Sequence, residues 1–249
     1  MGNCQTATDS NAVVSLSGGK DSTAMLLMML ERNMPVDDVV FFDTGWEFPQ
    51  MYEHIAKVEE YTGITVTKLK PEIPFTELML HNHRTRGNRK DIVAGYGWPT
   101  PLARWCTTKK CQTIDRYVKK YANPKRYIGI AADEAHRCKN FNYPLVEWGV
   151  TEKDALEYCK AHGFDWGGLY DYFKRVSCFC CPLQSIDELR QLRHHHPKEW
   201  EQMLVWDCQI NRPQDRPQDR FRNDYDLSEL EMRFRREDRQ MTLFEVVGE

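Results

Sequence analysis

Ser17-Gly18-Gly19-Lys20-Asp21-Ser22-Thr23 follows the apolar run Ala12-Val13-Val14-Ser15-Leu16 and precedes Ala24-Met25-Leu26-Leu27-Met28-Met29-Leu30. The first run reads as a short buried strand and the second as a buried helix. A Ser/Gly-rich turn between strand and helix gathers unpaired backbone N–H groups at the positive end of the helix, the arrangement a phosphate requires. The two glycines admit close approach of the backbone, and Lys20 adds a mobile positive charge. The order differs from the three spaced glycines of the dinucleotide fingerprint. It also differs from the Walker loop, where Lys-Ser/Thr closes a longer glycine run.

Outward from this turn, Asp38-Val39-Val40-Phe41-Phe42 reads as a second strand ending at Asp43-Thr44-Gly45, and Ile64 to Leu69 as a third. Pro49 opens a helix between them that Gly63 stops after Thr62. Alternating strands and helices at this spacing predict a parallel sheet covered on both faces, a Rossmann-like α/β fold. Ligands of such sheets collect beyond the C-terminal strand ends, where both the Ser/Gly turn and Asp43 fall. Further along, 111–121 reads as a helix, Arg126 to Ile130 as a fourth strand, Thr151 as the cap of a helix through about His162, and 186–204 as containing another amphipathic helix.

Residues 71–103 read as a loop or small helical excursion carrying a basic patch, His83 to Lys90. Residues 212–219 repeat Arg-Pro-Gln-Asp twice, and proline every fourth residue denies this stretch a regular helix or central strand. A last helix is expected from Leu227. The division drawn from these patterns is a nucleotide-binding domain over 1–205, including the cysteine region, and a linker with a small C-terminal helical extension over 206–249.

At 249 residues and 41% hydrophobic content the chain can bury a full core. With 34 Lys/Arg against 37 Asp/Glu the net charge is −3, so overall charge gives no argument for nucleic acid, although a local basic surface and arginines in the tail leave such contact open. No run of 18 apolar residues and no signal-like N-terminus occur, so the expectation is a soluble cytoplasmic protein with no membrane association. Of nine cysteines, Cys4, Cys138, Cys159 and Cys208 are scattered, whereas Cys106/Cys111 and Cys178/Cys180/Cys181 form two groups. In a reducing compartment such grouping favours metal or redox chemistry over structural disulfides.

The Ser-Gly-Gly-Lys-Asp-Ser turn resembles the PP-loop of the adenine-nucleotide alpha-hydrolase superfamily, in the branch that contains phosphoadenosine phosphosulfate reductase. Asp43-Thr44-Gly45-Trp46-Glu47-Phe48-Pro49 is similar to a stretch that helps form the nucleotide pocket in that family. The resemblance implies that residues 17–23 bind the phosphates of an adenine nucleotide such as ATP and that Asp43, Thr44, Gly45 and Trp46 complete the pocket. Trp46 or Phe48 would stack near the adenine, while Asp21 and Asp43 would orient the nucleotide or help hold Mg2+. Gly129-Ile130-Ala131-Ala132-Asp133-Glu134-Ala135-His136-Arg137 resembles the family's Gly-Ile-Arg-x-x-Glu-Ser-x-x-Arg, with Ala131 and Ala135 where arginine and serine are common. Tyr143-Pro144-Leu145-x-x-Trp148 matches a further family stretch. Catalytic roles are thereby expected for Lys20, Asp21, Asp43, Glu134 and Arg137.

Cys178-x-x-Cys181-Pro182 has a spacing that lets two thiolates converge on one metal or cluster, and the Arg104-Trp105-Cys106 string supplies the other half. These cysteines resemble those of iron–sulfur adenylyl-sulfate reductases and of the PP-loop proteins of DNA phosphorothioation. Cys106, Cys178 and Cys181 are the first candidates to ligate a [4Fe-4S] cluster, with zinc as the alternative. Cys111 is the preferred fourth ligand and Cys180 the other choice, a three-cysteine cluster with one open iron being a third arrangement. Five positions on an ideal helix span about 140°, so Cys106 and Cys111 share a cluster only if Cys106 precedes the helix or the turn is irregular.

Sulfonucleotide reductases carry a Glu-Cys-Gly tail whose cysteine attacks sulfur, and this chain ends Phe244-Glu245-Val246-Val247-Gly248-Glu249 with its last cysteine at Cys208. The leading expectation is therefore an ATP-dependent, pyrophosphate-releasing sulfur-transfer enzyme. Its partners would be a sulfur donor or cysteine desulfurase and a nucleic-acid or small-molecule acceptor, in a monomer or an oligomer. The alternatives are a reductase of adenylyl sulfate or its 3′-phosphate, and a nucleotide-binding subunit of a nucleic-acid modification or defence complex.

Overall fold

The computed structural model describes residues 11–82, 95–210 and 220–247. In chain order the elements are β1 (Ala12–Ser15), α1 (Lys20–Glu31), β2 (Asp38–Phe42), α2 (Pro49–Thr62), β3 (Val66–Leu69), α3 (Phe75–His81), α4 (Trp105–Val118) and β4 (Lys125–Ile128). A 3-10 helix (Ala132–Arg137) and α5 (Pro144–Glu147) lead to α6 (Glu152–Ala161), a 3-10 turn (Trp166–Gly168) and α7 (Leu169–Tyr172). Helices α8 (Ile186–His195), α9 (Pro197–Gln209) and α10 (Leu227–Val247) close the chain. The basic patch 83–90 and the tandem repeat 212–219 lie outside the described residues.

The chain divides into two compact units, one of residues 1–71 and 109–178, the other of 72–108 and 179–249. The boundary drawn at residue 205 falls inside α9, within the second unit. The first unit holds a four-stranded parallel sheet of order β3-β2-β1-β4. Ser15 pairs with Val40 on one side and Ile128 on the other, which brings the C-terminal ends of β1 and β4 level while β2 runs two residues further to Phe42. Unbroken apolar runs suit this position: Ala12 to Val14 and all of β2 are buried, as strands covered on both faces must be.

Local signals end the helices where the sequence places them. Pro49 stands at the start of α2 and Gly63, in the left-handed conformation, ends it. Thr151 and Asp154 form a reciprocal capping box on α6, and Ser185 and Glu188 do the same on α8. The stretch 186–204, expected to contain a helix, holds α8 and the start of a second, because Pro197 has no N–H for a continuing turn and opens α9 instead. Helix α4 begins at Trp105, six residues before the expected start, since Thr108 N–H already bonds the Arg104 carbonyl.

The second unit is helical. Helix α9 packs against both α8 and α10. Arg193 and Trp200 both donate to Glu231 of α10, at 2.8 Å each. Buried Asp207 accepts from the Trp98 indole at 2.7 Å and from the Leu227 N–H at 3.2 Å, so one carboxylate ties a loop, α9 and the start of α10 together.

His54 of α2 is buried in the first unit, with Nε2 2.9 Å from Thr23 Oγ1 and its ring stacked 4.5 Å from that of Trp166. Burial pushes its pKa down to about 3, with the charge of Lys57 acting in the same direction. The folded state therefore keeps this imidazole neutral where the unfolded chain, with an ordinary value of 6.5, takes up a proton. Stability is fully present above about pH 6.5 and is lost progressively as the pH falls toward about 3. Replacing His54 with Gln is expected to lower stability at neutral pH and to flatten the decline on acidification. Urea unfolding between these pH values measures both, and an unchanged slope in the variant would show that His54 is not the group responsible.

Candidate functional site

Strand β1 leads to β2 on one side and borders β4 on the other, so the crevice beyond the ends of β1 and β4 is the switch point of the sheet. The Ser/Gly loop rises from β1, and Gly129 with the 3-10 helix 132–137 rises from β4. Gly129 lies directly on the first turn of α1: a Cβ there would sit 2.6 Å from both Cα and N of Ser22. Backbone meets backbone at this point, which brings Glu134 beside Asp21.

The loop closes on itself through Ser22, whose hydroxyl accepts from the Ser17 N–H at 3.0 Å and donates to the Gly19 carbonyl at 3.0 Å. Gly18 has φ +83°, and a Cβ at this position would meet Met51 Cε at 2.7 Å. Lys20 opens α1, but its side chain is held rather than mobile. It is 7% exposed, with Nζ 3.3 Å from Glu152 Oε2 and 3.7 Å from Asp21 Oδ2. A buried ammonium demands such partners.

Asp21, Glu134 and Glu152 each offer a carboxylate oxygen, all within 4.8 Å of one another. Burial pushes the Asp21 pKa up to about 6; Lys20 opposes this, while Glu152 and Glu134 add to it. Asp21 Oδ1 is buried without a hydrogen-bond partner. Arg137 and Arg175 both pair with Glu134, and Arg175 also reaches Glu152 at 3.8 Å. These observations fit a divalent cation, which would relieve the clustered negative charge and satisfy the orphaned oxygen.

Of the expected catalytic residues, Lys20, Asp21, Glu134 and Arg137 are brought together. Asp43 belongs to a separate group at the end of β2, accepting from the Gly45 N–H at 2.9 Å and the Tyr52 hydroxyl at 2.8 Å, with Lys70 Nζ at 3.5 Å. Thr44 donates to buried Glu47 at 2.9 Å and lies 3.4 Å from Cys178 Sγ. Burial holds the Glu47 carboxyl above the usual range, against the pull of Lys110. Trp46 and Phe48 are core side chains, 3% and 0% exposed, so the expected adenine stacking finds no free ring face at either. Hydrophobicity selects aromatic residues for the core and for base stacking alike, and here burial took both.

No disulfide joins the cysteines of the described residues. Cys106 and Cys181 in the second unit are each raised above the usual thiol range, first by burial, and the Cys106 charge adds to the shift at Cys181. Two half-buried thiols, one acting electrostatically on the other, are of the kind a soft metal takes, and its binding would remove their protons. Cys106 is the second residue of α4, so it does not precede the helix, and Cys111 projects from a different side of it and is exposed. Cys180 is buried. Residues the motifs did not single out complete the loop's surroundings. Glu152 and Arg175 supply charge, and Tyr170 accepts from the Lys20 N–H at 2.8 Å. Their only signal in sequence was position downstream of the fourth strand.

The sequence profile of the phosphoadenosine phosphosulfate reductase domain matches residues 11–184. The chain belongs to this family. Among characterised relatives, adenosine 5′-phosphosulfate reductase 2 of Bacillus subtilis is 24% identical over 191 residues, 70% of this chain and 74% of that protein. An uncharacterised nin-region protein of Escherichia phage lambda is 33% identical over 176 residues, and an uncharacterised Methanocaldococcus jannaschii protein 27% over 207. These two matches cover 61% and 76% of this chain but only 60% and 40% of the relatives' own lengths. The phosphoadenylyl-sulfate reductase structure from Candida auris has the same fold, with TM-score 0.50, 19% identity and coverage of 69% of this chain and 82% of that one. No described helix is long and apolar enough to cross a membrane.

Replacing Gly129 with Ala is expected to cost roughly 1–3 kcal/mol of stability through overpacking and to displace Glu134 from Asp21. Urea unfolding measures the first effect. An unchanged midpoint would show that β4 and α1 have room to separate.

Proposed function

We propose that the chain is a sulfonucleotide reductase, taking adenylyl sulfate or its 3′-phosphorylated form with the α-phosphate over residues 17–23. The observation that carries this reading is the loop geometry at the sheet's switch point in a chain whose family match spans 11–184. A thiolate of an external dithiol attacks the sulfur, the bond between sulfur and the phosphate oxygen breaks, and the nucleotide monophosphate leaves. The other thiol of the same dithiol then attacks the first sulfur, expelling sulfite and forming a disulfide, so the dithiol supplies both electrons. Charge develops on the leaving phosphate oxygen, where the loop N–H groups and Lys20 offset it. Asp43 would orient the ribose. Glu134 would hold Arg137 and Arg175 until an anionic group of the nucleotide competes for them.

Cys106, Cys178 and Cys181, with Cys111 or Cys180, would hold a [4Fe-4S] cluster, with zinc as the alternative occupant. A cluster supplies soft, cationic iron with affinity for sulfur. A second reading, ATP-dependent sulfur transfer, is favoured by the carboxylates of Asp21, Glu134 and Glu152, which suit the Mg2+ that accompanies ATP. In that reaction an acceptor oxygen attacks the α-phosphate and pyrophosphate leaves. The adenylylated carbon is then open to sulfide or persulfide from a donor.

With adenylyl sulfate or its 3′-phosphate and a dithiol protein, under exclusion of oxygen, sulfite and nucleotide monophosphate are expected in equal amounts. Lys20→Ala should lower kcat/KM about 100-fold. Release of AMP and pyrophosphate from ATP with an acceptor, and no sulfite from either sulfonucleotide, would replace this reading with the second. Metal analysis is a separate check. Iron and labile sulfide should be present, lost in Cys181→Ser and retained in Cys159→Ser; zinc without sulfide would overturn the cluster.

A further inference from the structure

The segment after α6 supports the phosphate loop from a direction the motif does not reveal. Trp166 donates its indole N–H to the Gly18 carbonyl at 2.7 Å. In a trans peptide the carbonyl and the next N–H point to opposite sides. Drawing the Gly18 carbonyl toward Trp166 therefore turns the Gly19 N–H the other way, where Ser17 Oγ lies at 3.4 Å. Trp166 performs this in a strained conformation, φ +52°, that bulky residues avoid. Stacking on His54 at 4.5 Å and an edge contact with Tyr170 at 4.8 Å hold it there.

Tyr170 engages the next donor. Its phenol oxygen accepts from the Lys20 N–H at 2.8 Å, and a Cβ on Gly19 would lie 3.3 Å from the same oxygen. The Lys20 N–H is one of the donors at the start of α1 that have no partner within the helix. A phenol has one acceptor role used here and one donor still available: among the described residues the Tyr170 O–H has no acceptor. Lys20 Nζ lies 5.6 Å from the ring centroid. Burial holds this phenol well above its ordinary range, with the charges of Asp21 and Glu152 adding to the effect, so it keeps its proton.

We propose that Tyr170 binds the phosphate of the nucleotide: it accepts from the Lys20 N–H and donates its own O–H to a phosphate oxygen over residues 17–23, while Trp166 is the positioning residue that orients the Gly18–Gly19 peptide. This rests on the reading of residues 17–23 as the phosphate site. The phenol carries the donor capacity of the helix terminus outward by one hydrogen bond. An anion at the O–H polarises the phenol and strengthens its bond to Lys20 in turn. Adenosine, lacking phosphate, has no use for either group.

The full chain is titrated calorimetrically with adenosine, AMP and ATP, alongside thermal unfolding. Tyr170→Phe keeps the ring and its edge contact with Trp166 but removes the hydroxyl. It is expected to weaken AMP and ATP about tenfold or more and to leave adenosine unchanged. Trp166→Phe, which keeps an aromatic ring without the N–H, is expected to weaken AMP and ATP in the same selective way. Equal AMP affinity in Tyr170→Phe and the parent chain would overturn the proposal while leaving the loop as the phosphate site. An equal loss for adenosine and AMP would also overturn it, by showing that Tyr170 only supports the fold. If the parent chain binds adenosine and AMP equally well, or binds no nucleotide, the phosphate reading of the loop fails and Tyr170 with it.

Discussion

The charge of Lys20 is the constraint around which the first unit is arranged. An ammonium 7% exposed at the start of a helix is costly unless opposite charge stands beside it. Asp21 cannot supply enough, because burial itself drives that carboxyl toward protonation. Glu152 completes the pairing from α6, whose first turn is fixed by the Thr151–Asp154 capping box. Two more arginines, Arg137 and Arg175, then balance Glu134 and Glu152. The outcome is an alternation of positive and negative groups beside a row of backbone donors. On the proposed reading, an anion would enter such a site by exchange of partners, with no rearrangement of the sheet.

Exchange of this kind needs a loop that keeps its shape when partners change. Ser22 closes the loop from within, and Trp166 holds Gly18 from behind. His54 joins Thr23 of α1 to the Trp166 ring, so the helix and the turn behind the loop share one buried contact. Electrostatic preorganisation of this sort stabilises developing charge because the donors are already oriented. The same rigidity is compatible with either nucleotide chemistry. Sulfonucleotide reduction and adenylylation both place developing charge on an oxygen of the α-phosphate.

The cysteines follow a different logic. Cys178 lies at the strand ends beside Thr44 and Glu47, while Cys106 and Cys181 are half-buried in the helical unit. Burial alone disfavours their thiolates. A group that binds thiolate would reverse that preference.

Local sequence determined the parts of this protein that depend on local physics. Two uninterrupted apolar runs specify buried strands, Pro49 and Gly63 bracket α2, and Thr151 and Ser185 start their helices, each within a few residues of chain. The Ser-Gly-Gly-Lys-Asp turn was legible for the same reason, since strand, loop and helix terminus are contiguous. Placement of Asp21, Glu134 and Glu152 around one point was not, because it depends on β4 pairing with β1 and on the backbone contact of Gly129 with Ser22, more than a hundred residues apart in the chain. Hydrophobicity likewise marked Trp46 and Phe48 without telling a core ring from a stacking one, and helix periodicity could not locate the start of α4 relative to Cys106. Trp166 and Tyr170 carry no motif at all. Only the tertiary structure brings their polar edges against the loop, because a hydrogen bond across some 150 residues is decided by packing and leaves no periodic trace in the chain.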